Sequence, residues 1–219
     1  MRTLNVPLVD IEAIDLDSAL ELYGARFDVD QVNWPASFPY APTCAGRIAR
    51  TGNALIVDFR VSGLDLRVAN LSDNGRQWED SCVEVFIQDP DGSKYYNFEI
   101  NAIGKVLACS GATREGRVAR PAEEMGKILR FAQNNKDNCH PEGLEAPKDL
   151  AGVHSWRVGI IIPFELIGID PDNMPASIRA NFYKCGDKTA HPHFVSWSPI
   201  NLPSPDFHRP DFFGELKLV

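Results

Sequence analysis

One stretch, residues 77–104, constrains the fold of this chain more than any other. Two runs in which apolar and polar residues alternate, 82–88 and 95–101, lie on either side of the tetrapeptide DPDG at 89–92. Alternation with period 2 indicates β-strands, and Asp, Pro and Gly in succession are typical of a turn. The stretch therefore predicts an antiparallel β-hairpin.

The two strands of this hairpin each have an apolar and a more polar face. The apolar faces consist of Val83, Val85, Ile87, Tyr96, Phe98 and Ile100. The opposite faces consist of Cys82, Glu84, Phe86, Gln88, Tyr95, Asn97, Glu99 and Asn101. Pairing sets these second faces side by side, and we expect them on the outside of a sheet, with Trp78 at the mouth of the first strand. Hydrogen-bonding groups beside a flat aromatic ring suit a sugar.

Short alternating runs recur along the rest of the chain. They predict strands at residues 3–10, 44–51, 54–62, 105–110, 155–162, 177–183, 194–198 and 215–219. Helical turns are expected at 15–23 and after Pro121, an extended covering segment at 33–42, and loops at 64–76 and 111–150. The long 111–150 loop is expected to be mobile. This pattern predicts an all-β protein, a two-sheet antiparallel β-sandwich of the jelly-roll kind, formed as a single domain over residues 1–219.

Charge and hydropathy exclude several classes of partner. The 219 residues carry a formal net charge of -8, which repels nucleic acid and anionic membrane surfaces. No apolar run is long enough to span a bilayer. The first thirty residues contain acidic side chains throughout and lack an apolar core, so we expect no signal peptide in this chain. The protein is then either cytoplasmic or exported with its signal removed.

The five cysteines are too few and too scattered for a disulfide framework. They occupy positions 44, 82, 109, 139 and 185, and no C-x-x-C pair occurs. Because Cys82 and Cys109 fall within apolar strand patterns, we expect them to be buried free thiols.

Four motifs in order along the chain resemble carbohydrate-binding module family 9. They are WEDSCVEVFI at 78–87, YYNFEIN at 95–101, SWSP at 196–199 and FHRPDFFGEL at 207–216. The resemblance implies a β-sandwich that binds sugars, often at chain ends, between two aromatic rings and without catalysis. It also implies a role in carbohydrate catabolism. Some members of the family carry structural calcium, so a calcium ion is a possible addition here, and no other cofactor is implied.

The resemblance assigns site residues and also shows two departures. Trp78 takes the place of the first ring, and Glu84 that of a hydrogen-bonding acid. Phe207 stands where the family commonly has a second tryptophan, and Glu99 stands where it has an arginine. The ligand is therefore expected to differ from the glucan and xylan ends that the family binds.

The leading hypothesis is a saccharide held against Trp78, with Phe207 opposite. Its hydroxyl groups would be fixed by Glu84, Asn97, Glu99, Arg157, Arg179 and Asn181. Each ring also has a packing interpretation: Trp156 and Trp197 are expected in the core, Trp34 in the covering segment, and Phe207 and Trp78 are open between packing and recognition.

Two other functions remain open at this point. Glu84 and Glu99 could be the acid and base of a glycoside hydrolase. Against this, Arg157 and Arg179 are expected on the same outward faces, and an arginine beside a carboxylate keeps it ionised. Alternatively, the polar face could contact a partner protein. A metal site is a weaker possibility, because His191, His193, Asp206 and His208 match no closed zinc pattern.

Overall fold

The computed structural model describes residues 1–134 and 148–219, which form two β-sheets packed face to face. The strands in chain order are β1 (Thr3–Val6), β2 (Ala25–Asp28), β3 (Gln31–Val32), β4 (Thr43–Arg50), β5 (Ala54–Val68), β6 (Cys82–Gln88), β7 (Tyr95–Asn101), β8 (Val106–Gly111), β9 (Val118–Ala119), β10 (Leu129–Asn134), β11 (Lys148–Pro163), β12 (Ser177–Cys185), β13 (Phe194–Ser196) and β14 (Gly214–Leu218). Two short α-helices, α1 (Leu16–Tyr23) and α2 (Ala122–Lys127), lie outside the sheets. The predicted all-β sandwich is confirmed.

The larger sheet has the order β1-β14-β12-β6-β7-β8-β9, with β13 and β3 attached beside β12. The smaller sheet has the order β10-β11-β5-β4-β2. Neighbouring strands are antiparallel except for β1 and β14, which run parallel. The core lies between the sheets and contains residues of both.

The hairpin β6–β7 forms as its sequence predicts. Val85 pairs with Phe98 and Glu84 with Glu99. The apolar residues of both strands therefore share one face, and the more polar residues share the other. The turn uses Gly92 at φ 78°, a conformation that glycine adopts without strain. The apolar face of the hairpin is fully buried in the core between the sheets.

The opposite face of the hairpin is also buried, which corrects the expectation of an exposed outer face. A second apolar cluster covers it, to which Trp34, Phe207 and Phe213 contribute from outside the sheet. The reason is chemical: Phe86 and Tyr95 stand on this face, and aromatic rings of this size gain free energy when they are covered. The covering segment predicted at 33–42 covers this face together with loops near the end of the chain. The Trp34 indole N–H donates to the Leu202 carbonyl at 2.7 Å.

Two predicted loops contain regular structure. Strand β5 continues to Val68, so the loop expected at 64–76 begins as strand. The segment 111–150 contains β9, α2, β10 and the first residues of β11. The rest of the predicted mobile loop, 135–147, lies outside the described residues. Trp156 and Trp197 are in the core, as predicted.

The longest described α-helix, α1, has eight residues, and none of the described helices is long and apolar enough to traverse a membrane.

Candidate functional site

A cleft of about 140 Å³ opens over β6 and β7, where the covering loops leave part of the hairpin accessible. Aromatic, acidic and basic side chains together form its wall. The lining residues are Trp78, Glu84, Glu99, Arg114, Arg117, Cys185, Asp187, Phe194, Pro205, Asp206, Phe207 and His208. Four of the eight residues predicted as ligand-binding are among them: Trp78, Glu84, Glu99 and Phe207.

Trp78 forms one side of the cleft from a short 3₁₀-helix, Gln77–Glu79. Its side chain is half-buried, whereas Gln77 beside it is fully buried and donates from its amide to the Ser72 carbonyl at 2.7 Å. The Trp78 carbonyl accepts a hydrogen bond from the Asp187 N–H at 3.0 Å. A buried neighbour and a backbone hydrogen bond thus hold a partly exposed ring in place.

Glu84 and Glu99 form the floor of the cleft and face each other across the β6–β7 pair. Each is only 3% exposed. Glu84 Oε1 accepts from the Cys185 thiol at 3.0 Å, and Glu99 Oε1 accepts from the Asn97 amide at 3.0 Å. The other oxygen of each carboxyl group, Oε2, has no hydrogen-bond partner within the described residues. Two acceptors without a partner are therefore buried at the cleft floor, beside Arg117 Nη1, a buried donor that also has no hydrogen-bond partner within the described residues.

Burial dominates the protonation of these two acids. It raises the pKa of Glu84 well above its usual value, and the neighbouring Glu99 raises it further. Burial also raises the pKa of Glu99 to about 7, although Arg117 opposes this with Nη1 3.6 Å from Glu99 Oε1. The pair therefore holds protons more tightly than exposed carboxylates do.

Phe207 also lines the cleft but is only 8% exposed. Its ring stacks on Tyr183 at 4.1 Å between centroids and an interplanar angle of 7°. Phe194 meets it edge-on at 6.1 Å. One face of Phe207 is thus committed to packing, and the more accessible aromatic surface of the cleft belongs to Trp78.

The remaining cleft residues were not predicted from the sequence as part of a sugar site. Arg114 and Arg117 come from the loop between β8 and β9, and Arg114 Nη1 lies 3.7 Å from Asp206 Oδ1. His208 shares a hydrogen bond of 3.0 Å with the Tyr95 hydroxyl, and burial together with these arginines lowers its pKa to about 3. The sequence indicated Asp206 and His208 only as weak candidates for a metal site, together with His191 and His193. Arg114 and Arg117 lie in a segment without periodic alternation, so the sequence did not indicate them as site residues.

Three predicted site residues lie away from the cleft, and a fourth lies behind it. Arg157 stands on β11 of the smaller sheet, where it binds Asp58 at 2.8 Å and Asp17 at 2.9 Å. Arg179 donates to the Phe213 carbonyl at 2.9 Å. Asn181 is fully buried and accepts from the Ser198 N–H at 2.8 Å. Asn97, also fully buried, supports Glu99 from behind.

This placement changes the argument about the charge of the two acids. Neither Arg157 nor Arg179 is near them, so these arginines do not keep the carboxylates ionised. The cation beside Glu99 is Arg117 instead, and desolvation outweighs it.

One group of potential metal ligands occurs among the described residues: Cys82, Glu84 and Cys185, with ligand atoms within 4.8 Å of one another. Burial raises the pKa of the Cys82 thiol to about 12, and the hydrogen bond with Cys82, together with burial, raises that of Cys185. Protonated thiols are poor metal ligands, and calcium prefers oxygen. This group therefore does not fit a calcium ion. The predicted histidine and aspartate set at 191–208 forms no such group within the described part of the chain.

The sequence profile of Carbohydrate-binding family 9 matches residues 16–218. The chain belongs to this family. Among solved structures, a Bacteroides uniformis ATCC 8492 protein proposed to bind carbohydrate is 34% identical, with a TM-score of 0.85 over 100% of this chain and 99% of that one. No protein with a curated function matches the sequence.

More distant family 9 structures share the fold. A carbohydrate-binding module of family 9 from Caldicellulosiruptor kristjanssonii in complex with glucose has 13% identity and a TM-score of 0.57, covering 100% of this chain and 96% of that one. A structure of a family 9 module from the same organism in complex with cellotriose has 13% identity and a TM-score of 0.56, covering 99% and 93%. At this identity the likeness establishes the sandwich architecture alone.

Proposed function

We propose that this protein binds carbohydrate without catalysis, in the cleft beside Trp78. One observation carries the proposal: a partly exposed tryptophan lies at the rim of a cleft whose floor holds two buried carboxyl groups, each with an unpartnered oxygen. The ring covers the apolar face of a sugar, and the carboxyl groups of Glu84 and Glu99 accept hydrogen bonds from its hydroxyls. Arg117 supplies a donor at the same floor.

Family membership supports the same ligand class, since the family is named for carbohydrate binding. The relatives in complex with glucose and cellotriose also support it. The cleft, at about 140 Å³, is small beside the roughly 300–1,000 Å³ of sites for drug-sized ligands, which favours a single sugar unit such as a chain end. Carbohydrate catabolism is the process in which we propose that this binding takes part.

Glycoside hydrolysis is the second candidate, and the raised pKa values of Glu84 and Glu99 are the observation that favours it, because a general acid must hold its proton at working pH. The geometry of the pair argues the other way. The two acids of a glycosidase flank the scissile bond, whereas Glu84 and Glu99 are cross-strand neighbours that reach a ligand from the same side.

Calorimetric titration of the intact protein with glucose and cellotriose tests the proposal. We expect Trp78→Ala to weaken binding at least about tenfold while the melting temperature stays close to that of the wild type, because the ring is partly exposed. Tyr23→Ala is the matched control: this aromatic is 61% exposed and lies outside the cleft, so its loss should leave affinity unchanged.

Wild-type affinity in Trp78→Ala would place the sugar site elsewhere. The same samples, incubated with oligosaccharides, should release no reducing ends. Release that Glu84→Gln abolishes would make hydrolysis the function.

A further inference from the structure

We infer that the cleft selects sugars that carry a free amino group, so that an amino sugar binds more tightly than the matching neutral sugar. The inference rests on the proposed function, because it names the ligand class of the same cleft. It follows from the balance of charge and hydrogen bonding at the floor formed by Glu84 and Glu99.

Acids outnumber bases in the cleft wall. The acidic lining residues are Glu84, Glu99, Asp187 and Asp206, and the basic ones are Arg114 and Arg117. Arg114 approaches Asp206 at 3.7 Å, and Arg117 approaches Glu99 at 3.6 Å. Glu84 receives its hydrogen bond from a neutral thiol, Cys185, rather than from a cation. Among the described residues, Glu84 and Asp187 are thus the wall acids without an ion pair, and Glu84 lies at the floor.

Each carboxyl group at the floor also has one oxygen that lacks a donor. Oε2 of Glu84 and Oε2 of Glu99 are buried without a hydrogen-bond partner among the described residues. A buried acceptor without a donor is destabilised, and more so when it carries charge. A ligand that supplies both hydrogen-bond donors and positive charge would satisfy the unpartnered acceptor and neutralise its charge.

An ammonium group meets this requirement better than a hydroxyl or an acetamido group. It carries three donors and one positive charge, and hydrogen bonds between charged groups are about twice as strong as neutral ones. Glu84 and Glu99 are directly opposite each other, which puts their Cβ atoms about 4.5–5.5 Å apart, so one small cation can reach both carboxyl groups. A sugar hydroxyl offers one donor and no charge, and an acetamido group adds bulk.

The protonation of the two floor acids is consistent with the binding of an ammonium group. Burial raises the pKa of both floor acids, although Arg117 opposes the rise in each. An ammonium group that enters the cleft displaces the protons that these acids hold. The charged or titratable groups that face the pair are Arg114, Arg117, Cys185, Asp187, Asp206 and His208. Burial keeps His208 neutral, and the hydrogen bond with Cys82 together with burial keeps the Cys185 thiol protonated, so neither changes charge between pH 5 and pH 7. Asp187 does gain a proton in this range, because burial raises its pKa to about 6.

Titration of the wild-type protein with four probes tests the inference: glucosamine, glucose, N-acetylglucosamine, and butylamine as an amine without a sugar ring. At pH 7 and constant salt we expect glucosamine to bind roughly tenfold more tightly than glucose, a factor typical of an added charged contact. N-acetylglucosamine should bind more weakly than glucosamine. At pH 5, where the floor acids are protonated, the advantage of glucosamine should shrink. A glucosamine oligomer in a parallel arm distinguishes a free sugar from a chain end as the source of the amine.

Glu99→Gln is the test variant, because the amide keeps the shape and removes the charge. It should reduce the advantage of glucosamine over glucose several-fold. Glu12→Gln removes one charge from an exposed residue outside the cleft and should leave that advantage unchanged. Equal affinity of the wild type for glucosamine and glucose would overturn the inference and leave the proposed function standing. Butylamine that binds as tightly as glucosamine would overturn it in favour of a general amine site. Failure of all the sugars to bind would overturn both.

Discussion

Glu99 is a buried acid whose protonation links the candidate site to the stability of the protein. Burial raises its pKa from an ordinary value of 4.5 to about 7. A group with a raised folded-state pKa contributes stability that is fully present below its unfolded pKa and is lost as the pH rises through its folded pKa. The contribution of Glu99 is therefore lost between about pH 4.5 and pH 7, in which window the carboxyl group gives up its proton in the folded state.

Glu99→Gln should remove this pH-dependent loss of stability, because the amide does not titrate. We expect the free energy of unfolding of the variant, relative to the wild type, to rise by on the order of 2 kcal/mol between pH 5 and pH 8. The comparison is made between the two proteins, because burial lowers the pKa of His193 to about 2 and that of His208 to about 3, which changes the wild-type curve in the opposite sense at low pH.

Chemical denaturation at several pH values measures this difference. The exposed Glu12→Gln should give a curve parallel to that of the wild type. A constant difference between Glu99→Gln and the wild type would show that Glu99 is ionised throughout this range.

Part of the site was predictable at the scale of single residues. Period-2 alternation places Glu84 and Glu99 on one face of a hairpin, and pairing brings them together. Alternation also marks Arg157 and Arg179 as pointing away from the core, but it does not say on which sheet they lie. Burial of the hairpin's second face depends on segments distant in sequence, so the alternation on β6 and β7 could not reveal it.

At the scale of elements, glycines placed opposite phenylalanines shape the smaller sheet. Gly46 on β4 pairs with Phe27 on one side and Phe59 on the other, and the Phe27 ring crosses above it. A Cβ atom at Gly46 would lie 2.2 Å from Phe27 Cζ and 2.6 Å from the Asp58 carbonyl oxygen. The Phe27 ring is itself stacked on Phe182 of the other sheet at 4.2 Å. The glycine therefore lets this ring join the two sheets.

Gly46→Ala should destabilise the protein by about 2–3 kcal/mol, since neither the stacked ring nor the backbone oxygen can move freely away from a new methyl group. Gly52→Ala is the matched control, because nothing lies within 4 Å of a Cβ atom at that turn position. Denaturant midpoints of both variants measure the effect. A Gly46→Ala protein as stable as Gly52→Ala would show that the Phe27 ring adjusts easily.

Element boundaries were predictable where alternation was regular. Strands β4, β6, β7 and β12 lie close to their predicted ranges. Strand β5 was predicted too short because Gly63 and Asp65 interrupt the apolar pattern, yet β11 pairs with β5 as far as Val68. Pairing with a long neighbour outweighed the local sequence preference there, as is common for strands.

At the scale of the whole molecule, the chain forms a sandwich with an added layer of loops over one sheet. The two sheets share one core, and the cluster under the covering loops is separate from it. The cleft is the gap in this layer above Glu84 and Glu99. The sequence predicted the sandwich and the covering segment at 33–42, but not the arrangement of the later loops, because residues 186–213 contain little regular structure.

Dense packing, with no disulfide among the described residues, predicts how the thiols react. Cys44, Cys82, Cys109 and Cys185 are buried and free, although Cys82 and Cys185 are direct partners across β6 and β12. Cys139 lies outside the described residues, so the measurement is made on Cys139→Ser. In this variant no thiol should react with an aromatic disulfide reagent while the protein is folded, and four should react after unfolding in denaturant.

The melting temperature of the same variant should be nearly unchanged by reductant. Removal of a native disulfide typically costs about 2–5 kcal/mol, which would lower the melting temperature by several degrees. Reaction of only two thiols after unfolding, with a melting temperature that falls in reductant, would instead identify a disulfide between Cys82 and Cys185. That bond would remove the thiol that donates to Glu84 Oε1 and leave the cleft floor with a further unpartnered acceptor, so the titration also tests how the candidate site is held together.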